Sequence, residues 1–302
     1  MGTFFNNMYE ITYYIPEITK KIGILDSNKK FITELFGHSI SEGKEIEINE
    51  GNISFNDVSY SYEKDIIDAE TSQSSQSSQS SESSKLSRPS IVIDHLTTSI
   101  KSKELVAIYG PSGSGKTTFI KLILNILKPQ TGVISIDNYD LKTVSNKSLK
   151  KYISYVSQNK VSLFEKSILE NLTYGYYDVD DTVNRIKILI SKYKLGQIFV
   201  NINKDMELKT DMVDEYGFLN YNVGKHGNML SGGQRQIIHI IRAVLNKSSK
   251  IMILDEPTTA LDNISRDNVI RMIKENCGMK TVLIITHDEA IKKMCDSVIK
   301  FG

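Results

Sequence analysis

Residues Gly110 to Thr117 read GPSGSGKT, between the apolar run LVAIY and a segment with apolar residues at helical spacing. This is the P-loop spacing G-x-x-x-x-G-K-[ST], whose glycines let the backbone curl until successive N–H groups face one point. A helix starting at Lys116 brings its N-terminus to the same place, so the chemistry is phosphate binding. Lys116 would reach the β- and γ-phosphates of a nucleotide and Thr117 would offer a hydroxyl to Mg²⁺. Gly110, Pro111, Ser112, Gly113, Ser114, Gly115 and Thr118 complete the cradle. A chance glycine-rich turn is the bland alternative, and the strand before it and the helix after it argue against that.

A metal beside phosphates needs an acid, and IMILDEP supplies Asp255 and Glu256 at the end of an otherwise apolar strand. Adjacent residues point differently, so Asp255 can hold Mg²⁺, directly or through water, while Glu256 takes a proton from an attacking water. Two acids ending a strand are otherwise a solvated turn. His287 follows TVLIIT, where ligands gather at carboxyl strand ends, and can sense a γ-phosphate or be structural. By themselves, Gln158 reads as a loop amide, Tyr62 as a core strand aromatic, and Ser231–Gly233 as a helix N-cap.

These residues need a scaffold. The chain has 302 residues, enough for one large or two small domains at about 150 residues each. Lys plus Arg total 37 and Asp plus Glu 36, so the formal net charge is +1, which speaks against a generally basic nucleic-acid binder. No apolar run reaches the roughly 18 to 20 residues that span a bilayer, and Asn and Glu interrupt the start where a signal peptide would be apolar. Cys277 and Cys295 are too few for a disulfide framework and lack metal-ligand neighbours, which suits a reducing cytosol, and both read as small apolar residues.

Along the chain, Ile11, Ile15, Ile18, Ile22 and Leu25, followed by Ile32 and Leu35, form a narrow helical stripe that needs a cover. ISFNDVSYSY, from Ile53 to Tyr62, is β-branched and aromatic and predicts a strand. TSQSSQSSQSSESS, Thr71 to Ser84, has no apolar side chain to bury, so residues 66–88 are expected to be a disordered surface insertion. Beyond Pro89, IVIDHLTTSI, ELVAIY, a helix from Lys116 to Leu127, VISID, YISYV, IMILD and TVLIIT alternate as in an α/β fold with a largely parallel sheet. Val183, Ile186, Ile190 and Tyr193 mark a helix within a helical subdomain of about residues 180–230.

LSGGQRQ, Leu230 to Gln236, lies between the P-loop and the acidic strand end, and with it the sequence resembles the ATP-binding cassette (ABC) family, whose signature it matches. The resemblance extends through most of the chain from Ile53. It places Tyr62 at the aromatic A-loop position, Gln158 at the Q-loop, Thr259 to Asp262 (TALD) at the D-loop and His287 at the switch histidine. VSLFEKSILENLTYG and NVGKHGNMLSGGQ look like the exporter type of the multidrug and peptide class. Residues 1–48 are similar to the cytoplasmic end of a last transmembrane helix and its linker. The implied fold is a P-loop ABC ATPase over residues 49–302, with a largely parallel core sheet, an antiparallel β subdomain and a helical signature subdomain, after an N-terminal helical extension.

The resemblance further implies ATP and Mg²⁺ as ligands, with Gln158 joining Thr117 and Asp255 at the metal and Glu256, His287, Gln158 and Lys116 in catalysis. Tyr62 would stack on adenine. Ser231, Gly232, Gly233 and Gln234, with Asp262, would serve a composite site in which a second nucleotide-binding domain closes head to tail. The expected partners are that second domain and a transmembrane domain on another chain, with no nucleic acid, at the cytoplasmic face of a membrane. A soluble ABC ATPase of translation or DNA repair and an ATP-binding remnant without transport are the competing readings. Asn222 stands where the exporter segment usually carries Glu. Ile237 replaces Arg, and His239 and Ile241 replace small alanines, in the helix after the signature.

Overall fold

A computed structural model describes residues 43–62, 90–158, 162–175, 179–202 and 216–302. The helical stripe between Ile11 and Leu35 and the Ser/Gln tract of residues 66–88 lie outside the described residues. The fold is α/β, with one parallel and one antiparallel sheet.

The parallel sheet has the order β6-β7-β8-β3-β9, formed by β6 (Ile153–Val156), β7 (Ile251–Asp255), β8 (Thr281–Ile285), β3 (Leu105–Tyr109) and β9 (Ser297–Lys300). Its central strands are apolar throughout because both faces are covered. Side chains alternate between the faces with period two. Met252, Leu254, Val282 and Ile284 enter one core, while Ile251, Ile253, Leu283 and Ile285 enter the other. The first core is completed by α3 (Ile168–Thr173), α4 (Val179–Lys192), α5 (Gly232–Leu245) and α6 (Asn263–Asn276), and the second by α1 (Lys116–Ile123) and the antiparallel sheet.

The antiparallel sheet runs β2-β1-β4-β5, from β2 (Ser90–Ile100), β1 (Ile53–Tyr62), β4 (Thr131–Ile136) and β5 (Tyr139–Asp140). Asp137 and Asn138 join β4 to β5 with φ of 46° and 69°, as a two-residue type I′ hairpin requires. The Asp137 carboxylate also accepts the backbone N–H groups of Asn49, Glu50, Gly51 and Asn52 at 2.8–3.0 Å, clamping the entry to β1.

Two details differ from expectation. The helix foreseen to Leu127 ends at Ile123, a turn earlier, and Asn125 just beyond it has φ 56°, outside helical space. Residues 44–48, assigned above to the N-terminal extension, pack on the cassette: Lys44 pairs with Val144, and Ile46 and Ile48 are buried in the second core. The helix within the foreseen subdomain forms as Val179–Lys192, and Ile186, Ile190 and Tyr193 bury its apolar face. Of the two cysteines, Cys295 behaves as read, half-buried against the first core with its thiol directed at the Ile291 carbonyl, 3.3 Å away. Lys280 is buried, and its ammonium donates to the carbonyls of Ala243, Asn246 and Val244 and to Ser249 Oγ at 2.6–3.3 Å, satisfying the C-terminal end of α5.

His239 sits mid-helix in α5 with a buried Nε2 that finds no hydrogen-bond partner, and burial, reinforced by the nearby Arg242 charge, pushes its pKa down to about 4. The unfolded chain binds this proton from the ordinary value of 6.5 downward, so stability contributed above 6.5 is lost as pH falls toward 4. His239→Leu should remove this sensitivity. Urea unfolding at pH 7 and pH 5 should show wild type losing about 2 kcal/mol more than the variant over that interval. Parallel losses would mean that the imidazole is solvated.

Candidate functional site

The site forms where the parallel strands end. The carboxyl end of β3 leads into residues 110–115, that of β7 carries Asp255 and Glu256, that of β8 is followed by His287, and that of β6 by Gln158. A cleft of about 650 Å³ is lined there by Tyr62, Ser112, Gly113, Gly115, Lys116, Thr117, Thr118, Gln158, Asp255, Glu256, Thr259 and His287. Residues separated by more than two hundred positions thus meet in one cavity of ligand size.

The loop owes its shape to its glycines. Gly113 has φ 81°, and a side chain there would meet open space, so the glycine serves only backbone conformation. At Gly110 a Cβ would collide with the carbonyl of Phe301, and at Gly115 (φ 100°) it would sit 3.0 Å from that of Val92. Lys116 is buried, and its ammonium donates to the carbonyls of Gly110 and Pro111, each at 2.7 Å, which fixes a cation inside the loop. Gly110, Pro111 and Ser114 therefore shape the cleft from behind. Ser114 Oγ is buried without a hydrogen-bond partner. An orphaned hydroxyl, a fixed cation and a glycine curl at the start of α1 fit a phosphate chain.

Tyr62 is 39% exposed at the mouth of the cleft, with its hydroxyl 3.2 Å from Thr118 Oγ1 and its ring edge-on to Tyr60. The core reading of this aromatic does not hold, because the last residue of β1 overhangs the cavity. Asp255 and Glu256 are both raised in pKa, chiefly by burial. For Asp255 the Tyr155 hydrogen bond and the Lys116 charge oppose the rise, and for Glu256 the nearby His287 opposes it. Glu256 Oε1 is buried, lies 3.2 Å from His287 Nε2 and otherwise finds no partner. Glu256 has φ 50°, a left-handed conformation that costs a residue with a Cβ about 1–2 kcal/mol.

Tyr155 was not foreseen. Its hydroxyl donates to Asp255 Oδ2 at 3.4 Å, and burial followed by that carboxylate raises its pKa to about 12. The available signal was strand register, since Tyr155 is the one outward residue among the buried positions of β6. The structure also separates the foreseen residues. Ser231, Gly232, Gly233, Gln234 and Asp262 do not line the cleft. Ser231 caps α5 through a reciprocal capping box with Gln234, and Ser231 and Gly232 are exposed. Gly233 faces inward, where a Cβ would lie 2.6 Å from the carbonyl of Ala260. Asp262 accepts from the N–H and hydroxyl of Ser265 at the start of α6.

The fold and this P-loop cleft define an ABC-type ATPase domain, and the sequence comparisons agree. The profile of the ABC transporter family matches residues 93–259, over half of the chain, which therefore belongs to that family. It is 31% identical to ABC transporter B family member 29, chloroplastic, of Arabidopsis thaliana over 90% of this chain and 38% of that protein. It is 32% identical to the alpha-hemolysin translocation ATP-binding protein HlyB of Escherichia coli over 84% of this chain and 30% of that protein. With the ATP-dependent lipid A-core flippase of Ralstonia nicotianae it shares 34% identity over 68% of this chain and 33% of that protein. A bacterial Atm1-family ABC exporter with ATP bound superposes with a TM-score of 0.66 at 21% identity, covering 93% of this chain and 43% of that one, and has the same fold. The chain spans about a third of the length of these curated relatives, and it corresponds to the ATP-binding domain of the exporter type. No helix among the described residues is long and apolar enough to cross a membrane.

The glycine contacts yield a graded expectation. Gly110→Ala forces Phe301 to move and should cost about 3 kcal/mol of unfolding free energy, whereas Gly113→Ala meets no atom and should cost about 1 kcal/mol for its φ. Chemical denaturation of the two variants checks the order, and equal losses would refute the steric account of Gly110.

Proposed function

We propose that this chain is the ATP-binding and hydrolysing part of an exporter-type ABC transporter, closing head to tail with a second cassette around two Mg-ATP to drive a transmembrane domain carried elsewhere. One observation carries the reading. The residues that would bind and cleave ATP converge on one cleft, while the signature residues Ser231 and Gly232 stand exposed away from it. A second cassette is what would bring an exposed signature to a cleft of this kind.

In this reading Lys116 opposes the charge of the β- and γ-phosphates, and the N–H groups of residues 112–117 surround them. Thr117, Gln158 and Asp255 would hold Mg²⁺, which when bound neutralises phosphate charge. Their donors are oxygens, the set a hard cation prefers. Tyr62, at the cleft mouth, stacks on the adenine. The Glu256 carboxylate accepts the proton of the attacking water, and burial makes it a stronger base than a free glutamate. His287, beside Glu256, would sense the γ-phosphate. Glu256 lies at the deep side of that pair, its side chain 15% exposed against 50% for His287. Ser231 and Gly233 of the second cassette close the site.

Two substitutions separate binding from chemistry. Lys116→Ala should remove most ATP affinity in a titration with a fluorescent nucleotide, because a fixed cation is lost. Glu256→Gln should retain ATP but slow turnover by about 10²- to 10⁴-fold. Unchanged binding in the first variant defeats the phosphate-site assignment, and full turnover in the second defeats the base.

The composite site has its own test. Specific activity should rise with protein concentration, and Ser231→Arg should abolish it by placing a long cation against the closing phosphate. Activity that stays constant down to concentrations where sedimentation shows only monomer contradicts head-to-tail closure.

A further inference from the structure

The Glu256 backbone is held at three points in its left-handed conformation. Its N–H donates to the Ile285 carbonyl at 3.0 Å, and its carbonyl accepts from Gln236 Nε2 at 2.8 Å and from Thr259 Oγ1 at 2.9 Å. The Ile285 bond belongs to the β7–β8 register and the Thr259 bond is local. Of the three, the Gln236 bond is the one that reaches Glu256 from outside the β7–β8 pair and its own turn, from α5, and α5 is the helix that Ser231 caps.

Gln236 is 5% exposed, and its Oε1 is buried with no hydrogen-bond partner. A buried acceptor without a partner disfavours glutamine against leucine of similar size, so stability alone does not account for this side chain. What it does make is the single bond to the Glu256 carbonyl. The same helix is tied to the turn after Glu256 a second time, because Gly233 packs on the Ala260 backbone.

We infer that Gln236 is a positioning residue for hydrolysis: its amide fixes the strained backbone of Glu256 and so aims the carboxylate, linking this cleft to the helix that presents Ser231. The inference rests on the reading that Glu256 is the base. A signature engaged by a second cassette would then be felt at the carboxylate of its own chain through one hydrogen bond. A backbone rotation at Glu256 displaces its carboxylate, and a displacement of about 1 Å at a reacting group can cost up to 10²-fold in rate.

The test uses the full chain. Gln236→Leu removes the donor and the orphaned acceptor together while keeping the volume. Its kcat should fall by about tenfold or more, with KM and the dissociation constant for ATP within about twofold of wild type. In the Glu256→Gln background the same substitution should cause no further loss of single-turnover rate, because the carboxylate that it aims is already gone. Losses that multiply in that background, or a single variant with wild-type kcat, overturn the inference. Should Gln236→Leu fail to fold, Thr259→Val decides. It removes the other side-chain donor to the same carbonyl from an exposed position, and kcat should fall about threefold at unchanged KM, with no loss in the Glu256→Gln background. Unchanged kcat there overturns the inference. A wild-type chain without ATPase activity overturns the parent reading as well, a result distinct from an active wild type matched by an equally active Gln236→Leu.

Discussion

Burial of the parallel sheet on both faces is the constraint from which the rest follows. Because β7 and β8 send alternate side chains into two separate cores, neither strand can slip by one residue without exchanging the contents of those cores. The register is therefore fixed, and so is where each strand stops. β3, β6, β7 and β8 run parallel, and their carboxyl ends deliver the P-loop, Gln158, the acidic pair and His287 to one edge. The cleft is the place where the apolar strands run out and the next residues become polar. Its electrostatics have the same origin, since the burial that shields Asp255 and Glu256 also raises their carboxyls.

What sequence could reveal follows from this division. Strands buried on both faces are nearly uniform apolar runs bounded by chemistry, so LVAIY, IMILD and TVLII stand out, and the residues that follow them are readable as ligands. Local signals worked where the determinant is local: the glycine spacing of the P-loop, and the helix N-cap read at Ser231–Gly233, which Ser231 supplies to α5. They failed where the determinant is a distant partner. Tyr155 looks like any strand aromatic until the β6–β7 pairing sets it beside Asp255. Gln236 reads as one more polar residue after a signature until its amide reaches Glu256, 20 positions on. The left-handed backbone of Glu256 has no sequence mark at all, since glutamate carries no preference for it.

The residues after the signature show the same effect in packing. Ile237 and Ile241, in place of Arg and a small alanine, lie fully within the first core, so α5 presents more apolar volume than the family pattern suggests. His239 shares that helix as a neutral ring. None of these three residues lines the phosphate cleft.

The sheet margins bear on how the molecule can meet another. An open sheet edge is a template for further strands, and proteins blunt such edges by shortening, charging or bulging them. Here the parallel sheet ends on strands of only four residues, β6 and β9, and β9 closes with Lys300. The antiparallel sheet ends on β5, of two residues, and on β2, whose pairing with β1 is broken by three register shifts. Among the described residues, none of these rims offers the long, flat run of free amides that strand-to-strand joining needs. The described rims therefore disfavour side-by-side fusion of two such molecules into one continued sheet.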